Sequence, residues 1–330
     1  MAMTQGVLSR SKHEDASAAK AGSLKRKARV GERVAEVAIL VVALVSIAAV
    51  LLILLYVGKE ALPVITSPEV HKEVTFGALF APNDGGYMWQ PVSETPKYNA
   101  VPLFVGSLKV TLVSLLFAAP LSIGGALFAS EYAGKRLREV IKPAVELLAG
   151  VPSVVVGFFA LVVLATWVQK AFGTEHRLNA LVAGIGLAFA ICPIVFSVSE
   201  DALRAVPDSY RTAATAMGST RAQMLVRVVL PAAGPGIAAA IVLGLGRAIG
   251  ETMIVLLATG NAALLDASLG HSTRTITATI AQELGEVVVG SAHYHVLFAL
   301  GALLFLSTFV VNFFGERIVH RMRKRLGVAS

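Results

Sequence analysis

Six stretches of this chain stay apolar over about the twenty residues a helix needs to cross a bilayer, and nothing else in the sequence constrains the fold as strongly. They are read at 34–57, 103–129, 143–168, 178–199, 235–259 and 294–315. In hydrocarbon every backbone N–H and C=O must be satisfied within the segment, so such stretches are expected to be helices. Composition agrees: 55% hydrophobic against 15% charged residues is more apolar surface than a soluble core of 330 residues uses. The expected fold class is all-α and integral to a membrane.

Orientation follows from the basic residues, which gather in short cytoplasmic segments. Arg10, Lys12, Lys20, Lys25, Arg26, Lys27, Arg29 and Arg33 precede the first span; Lys135, Arg136, Arg138 and Lys142 lie between the second and third. Arg204, Arg211, Arg221 and Arg227 lie between the fourth and fifth, and Arg317, Arg321, Arg323, Lys324 and Arg325 follow the sixth. Segments 58–101 and 260–293 are near charge balance. The expected topology has both termini and the fourth-to-fifth connection in the cytoplasm of a multi-pass protein of the inner cell membrane.

Dispersal along membrane flanks also accounts for the net charge of +8 and argues for lipid rather than nucleic acid as the partner of these cations. The expected organisation is a disordered basic leader at 1–33, a first anchor at 34–57 longer than a signal peptide's apolar core, and an external loop at 58–101. A transmembrane core at 102–316, with a polar loop at 200–231, and a tail at 317–330 complete it. Tyr87, Trp89 and Tyr98 read as residues resting at the headgroup level. The one cysteine, Cys192, stands beside Pro193 in an apolar span, so no disulfide forms within the chain.

The polar loop has a pattern of its own. Tyr210, Ala213, Ala214 and Met217 fall at i, i+3, i+4 and i+7, one stripe on a helix that Pro207, Asp208 and Ser209 start and Gly218 stops. A second amphipathic run carries Met224, Leu225, Val228 and Val229 to an expected stop at Pro231.

Charge inside the spans is costly and marks function or pairing. Arg247 and Glu251 are spaced i, i+4 in the fifth span and are expected to pair on a face that Gly244, Gly246 and Gly250 leave open to close packing. A locking ion pair and a place on a transport path both suit them. Lys142 and Glu146 read as another i, i+4 pair, and Lys109 as snorkelling to the outer headgroups. No phosphate loop occurs, and the seven histidines show no metal spacing, His293 and His295 being two apart. The sequence therefore predicts no catalytic residue, no metal and no cofactor in this chain.

Thr212, Ala213, Ala214, Gly218, Val228, Leu230 and Pro231 match the spacing of the cytoplasmic loop motif of binding-protein-dependent ABC importer permeases, E-A-A-x3-G-x9-I-x-L-P. Thr212 stands where that family usually has Glu, and Val228 replaces Ile. The runs Ser199-Glu-Asp-Ala-Leu-Arg-Ala-Val-Pro207, Gly244-Leu-Gly-Arg-Ala-Ile-Gly-Glu-Thr-Met253, Leu148-Ala-Gly-Val-Pro-Ser-Val-Val-Val-Gly157 and Arg274-Thr-Ile-Thr-Ala-Thr-Ile-Ala-Gln-Glu-Leu-Gly285 resemble the PstC-type phosphate permeases of that family. The Gly-Glu-Thr-Met wording and Gly260-Asn261 favour that type over its PstA-type sister.

The resemblance implies a six-transmembrane-helix type I ABC importer permease fold with a cytoplasmic coupling helix. It implies a second, PstA-like permease subunit, two copies of an ATP-binding subunit and an extracytoplasmic phosphate-binding protein as partners. Phosphate, or another oxyanion such as molybdate, would be the cargo. Tyr210, Thr212, Ala213, Ala214, Met217 and Gly218 would dock on the ATP-binding subunit, and Arg247 and Glu251 would serve the transport path or its gating.

Overall fold

A computed structural model describes residues 30–82 and 86–325. The leader expected at 1–33 lies outside them up to residue 29, as does the tail beyond 325. Two compact units divide the chain, one up to Leu55 and one from Tyr56. Helix α1 (Val30–Ala61) runs through the first unit and ends in the second.

The second unit is a helical bundle. Its order is α2 (Val101–Leu127), α3 (Lys135–Ala149), α4 (Ser153–Phe159), α5 (Ala165–Phe172), α6 (Ala180–Arg204), α7 (Asp208–Ala216), α8 (Arg221–Met224), α9 (Leu230–Ile249), α10 (Met253–Ala258), α11 (Ile276–Glu283) and α12 (Ala292–Arg325). Single π turns extend α2 and join α4 to α5 and α8 to α9. Six of the described helical segments are long and apolar enough to span: Arg33–Thr66, Val101–Tyr132, Ser153–Phe172, Ala180–Arg204, Arg221–Ile249 and Ala292–Lys324.

Two expected spans shift. The third, read from 143, begins at Ser153, because Gly150, Val151 and Pro152 separate it from α3. A proline pushes the residue before it out of the helical region, and Pro152 itself is extended (ψ 136°). Helix α3, which has no buried residue, is a separate amphipathic helix. The fifth, read at 235–259, runs instead from Arg221 to Ile249. Pro231 does not stop it: the π turn Leu225–Val229 precedes it, with Leu230 N–H bonded to Leu225 O, so the missing donor falls where the helix has already left its i→i−4 register. The break comes later, at Gly250.

Helix α6 is the centre. Its apolar window is 61% buried against at most 33% in any other candidate span, because α2, α3, α9, α10 and the α4–α5 pair all pack on it. Leu187 and Ile191 anchor the middle layer. Leu203, Val206, Val229 and Ile237 form a second layer around the C-terminal end of α6.

A third layer holds Leu79, Trp89, Tyr98, Leu103 and Leu297. Trp89 and Tyr98 are thus core residues, at 2% and 4% exposure, not headgroup anchors. The cause is Glu283, which accepts the Trp89 Nε1–H (3.0 Å) and pairs with Arg274 Nη1 (2.8 Å) and His293 Nε2 (3.0 Å), drawing the aromatic loop inward. Burial, with Glu73 and Glu283 nearby, pushes the Tyr98 phenol up to about 12.

Candidate functional site

The polar loop leaves α6 through Pro207, whose ψ of 143° ends one helix and opens α7. At the far end Ser219 N–H donates to Ala214 O (3.1 Å) and Gly218 N–H to Thr215 O (3.0 Å), the two bonds of a Schellman stop. Gly218 sits at φ +81°, a conformation strained for a residue with a β-carbon. Thr220 and Gln223 then form a capping box that starts α8. The predicted helix-stop-helix is present, with its stop at the predicted glycine.

Arg211 fixes the root of α7. Its Nη2 donates to Glu131 Oε1 (2.8 Å) and Leu203 O (2.9 Å), its Nε to Glu131 Oε1 (3.2 Å), and its Nη1 to Val206 O (2.6 Å) and Asp208 Oδ1 (3.1 Å). One guanidinium therefore ties α7 to the end of α6 and to the π turn Phe128–Tyr132 that extends α2. The bond to Glu131 holds the Arg211 pKa above its ordinary value.

The expected stripe divides in two. Ala214, 8% exposed, turns inward against Leu203, Val206, Met224 and Leu225, because α7 crosses α8 and the following π turn at this point. Tyr210 (50%), Ala213 and Met217 (86%) face outward. The outward apolar face is thus Tyr210, Ala213 and Met217, and Ala214 belongs to the fold. Thr212 is exposed, with its hydroxyl donated back to Asp208 O (3.1 Å), so it presents no charge where the motif's Glu would.

A second ionic node lies beside this one. Lys142 of α3 does not pair with Glu146 but with Glu200 (3.0 Å) and Asp201 (2.8 Å) of α6. Glu200 is fully buried, and a buried carboxylate draws the nearest cations; Arg204 reaches its other oxygen at 3.5 Å. Bonds to Asp201 and Glu200 hold the Lys142 ammonium above its ordinary pKa. Neither Glu131 nor Glu200 stood out in the sequence, since the partners they engage include residues 80 and 58 positions away.

The fifth-span charges separate as well. Helix α9 ends at Ile249 with Gly250 as its cap, so the i, i+4 geometry that would bring Arg247 and Glu251 together is interrupted. Glu251 Oε1 instead accepts the backbone N–H groups of Thr252 and Met253 (3.1 Å each) and Ile254 (3.5 Å), capping α10. Thr277 of α11 donates its hydroxyl to Glu251 O (2.7 Å).

Arg247 is exposed and makes no ion pair among the described residues. It lines a groove of about 830 Å³ between α9 and α12, with Asn312, Glu316, Arg317, His320 and Arg323 along the opposite wall. The helices approach closely at Gly246, where a β-carbon would lie 3.1 Å from Asn312 Oδ1. Lys109, expected to snorkel, is 9% exposed and donates to Asp266 O (2.9 Å) and Ser268 O (3.0 Å). Two loop carbonyls replace the headgroups as its solvation.

A helical bundle packed on α6, six candidate spans along the chain, and a short helix held out between the fourth and fifth define a multi-pass membrane permease. Residues 121–324 match the binding-protein-dependent transport system inner membrane component family, and the chain belongs to that family. It is 39% identical over 224 residues to the probable ABC transporter permease protein YqgH of Bacillus subtilis (strain 168), covering 67% of this chain and 72% of the relative. It is 36% identical over 272 residues to the phosphate transport system permease protein PstC of Mesorhizobium japonicum, covering 77% and 81%. A chain of the bacterial ABC transporter that imports alginate superposes with a TM-score of 0.59 at 19% identity, over 89% of this chain and 99% of that one. A chain of the inward-facing MetNI methionine ABC transporter does so with a TM-score of 0.51 at 18% identity, over 68% and 94%. The fold is that of the type I ABC importer permeases.

Proposed function

We propose that this chain is one of two permease subunits of an ATP-driven importer, and that its cargo is inorganic phosphate. The observation that carries the reading is α7: its root is bound by Arg211 to α2 and α6, while Tyr210, Ala213 and Met217 stand free. A rigid helix with an apolar outer face is suited to receive a push and pass it to the spans. The push comes from a separate ATP-binding subunit, in two copies, since this chain contains no phosphate loop. The second permease subunit is PstA-like, and an extracytoplasmic phosphate-binding protein delivers the anion.

Support for phosphate is the 36% identity to a protein named phosphate transport system permease protein PstC, with a 32% identical namesake in Pasteurella multocida. Distribution of Lys and Arg supports a topology with both termini and α7 in the cytoplasm. Arg247, without a carboxylate partner among the described residues, is free to offer its donors to an oxyanion on the transport path, and Glu251 holds the helix break that gates it.

Reconstitution of the chain with its co-expressed partners in proteoliposomes tests this. ATP hydrolysis stimulated by phosphate-loaded binding protein, with phosphate accumulating inside, is the expected result. Stimulation by molybdate but not phosphate would overturn the cargo, and transport without any ATP-binding subunit would overturn the class.

A further inference from the structure

The N-terminal end of α6 lies about 37 Å along that helix from the end that carries α7. Two loops meet there, residues 173–179 before α6 and residues 259–275 between α10 and α11. Backbone bonds join them: Ala180 N–H to His271 O (3.3 Å) and Leu181 N–H to Leu269 O (3.0 Å). Ser272 Oγ donates to Leu178 O (2.8 Å). Asn179, fully buried, caps α6 and donates to His176 O (2.7 Å), while Lys109 holds Asp266 O and Ser268 O from below. The backbone carrying His176, Asp266 and His271 is therefore fixed by buried groups, although the side chains reach the surface.

Three of those side chains converge. Glu175, His176 and His271 each bring one donor atom within 4.8 Å of the others. Glu175 Oε2 lies 3.1 Å from His271 Nε2, and the two imidazoles meet edge to face with centroids 5.2 Å apart. On its other side His271 Nδ1 is hydrogen-bonded to the Asp266 carboxylate. That bond orients the ring and leaves Nε2 facing Glu175, which is how metal-ligating histidines are set by an outer carboxylate.

We propose that Glu175, His176 and His271 form a binding site for a divalent transition cation of the Zn²⁺ class, oriented by Asp266, that staples the two loops. Two imidazoles and one carboxylate suit Zn²⁺, with water in the fourth position, whereas Mg²⁺ and Ca²⁺ favour all-oxygen sets. Metal–ligand bonds of about 2.0–2.2 Å place tetrahedral donors about 3.4 Å apart. Rotation of two exposed side chains, Glu175 and His176, closes the present spread without moving the anchored backbone. The staple joins the start of the central helix to the loop that follows the Gly250 break, so an occupied site restrains movement of α10 against α6. Without metal, His271 bridges the Asp266 and Glu175 carboxylates through its two ring nitrogens.

The test uses the intact complex, tag-free and stripped with chelator, titrated with Zn²⁺ against a chromogenic competitor at neutral pH, with bound metal counted by mass spectrometry. One site per chain is expected, and His176→Ala and His271→Ala should each remove it or weaken it at least about tenfold. Asp266→Asn should weaken it about 10–100-fold. Co²⁺ loaded at the same site should show the intense visible bands of a tetrahedral ion, lost in His176→Ala. His176 and Glu175 are exposed, so His176→Ala and Glu175→Gln test the site even where His271→Ala fails to assemble. Undiminished stoichiometry and affinity in His176→Ala with Glu175→Gln, or no Zn²⁺ bound by the unaltered complex, would overturn the proposal.

Discussion

Arg211 and Glu131, 80 positions apart, close an ion pair whose tightest bond is 2.8 Å and which ties α7 to the end of α2. Hydrogen bonds to charged groups contribute about 1.5–3 kcal/mol each when buried. Glu131→Gln is therefore expected to leave the ATP-binding subunit bound but to lower phosphate transported per ATP hydrolysed at least about tenfold. Arg211→Lys should behave like Arg211→Ala, since one ammonium nitrogen cannot reproduce the fork by which Nε, Nη1 and Nη2 reach Glu131, Val206 O and Leu203 O from three separate positions. An unchanged transport-to-hydrolysis ratio in reconstituted complexes would exclude this route.

Ala213 and Ala214 are neighbours in sequence with opposite surroundings. A carboxylate at Ala214 would enter the apolar cluster of Leu203, Met224 and Leu225, where an uncompensated polar group costs about 2–7 kcal/mol. Ala214→Asp should lower the yield and thermal midpoint of the isolated chain. Met217→Asp and Ala213→Asp lie on the outer face and should leave the chain intact while weakening co-purification of the ATP-binding subunit at least about tenfold. Equal effects of the two classes on chain stability would contradict the division of the stripe.

What was legible in the sequence was local. The spans follow from uninterrupted apolar runs, and the bounds of α7 from Pro207, Asp208 and Gly218, each acting within a turn of itself. What was not legible depended on tertiary partners or on breaks inside apolar runs. Lys142 reads as a partner for Glu146 until α3 lies beside the buried Glu200 of α6. Arg247 and Glu251 read as one face until Gly250 ends the helix between them. Pro231 reads as a stop because a π turn leaves no mark in hydrophobic periodicity. Trp89 reads as a headgroup anchor because Glu283, the acceptor that draws it in, is 194 positions away.

Lys142 and Glu200 offer a separable stability test. Removing one partner of a buried pair leaves the other uncompensated and costs about 3–5 kcal/mol. The upper part of that range fits truncation of Lys142, which leaves the Glu200 carboxylate, 1% exposed, with only Arg204 at 3.5 Å; removal of Glu200 should cost less, because the ammonium left behind is 28% exposed and keeps Asp201. Glu200→Gln should lower the thermal midpoint in detergent, and Lys142→Met should lower it further. The double variant should be more stable than the sum of the two losses predicts. Strict additivity would mean that the pair contributes no coupling energy.

Arg247 and Glu251 sit at different structures, a groove wall and a helix cap, and that separation makes their variants distinguishable. Arg247→Gln removes a cation with no ion-pair partner among the described residues, so assembly and thermal midpoint should be preserved while phosphate uptake is lost. Glu251→Gln keeps an acceptor for Thr252 and Met253 but loses its charge, and should cost about 0.5–2 kcal/mol of stability through the weakened cap. The double variant should be additive in stability to within about 0.5 kcal/mol, because the two side chains share no partner. A coupling energy well above that, measured by unfolding in detergent, would restore the ion pair that the i, i+4 spacing suggests and remove the reason for assigning Arg247 to the anion.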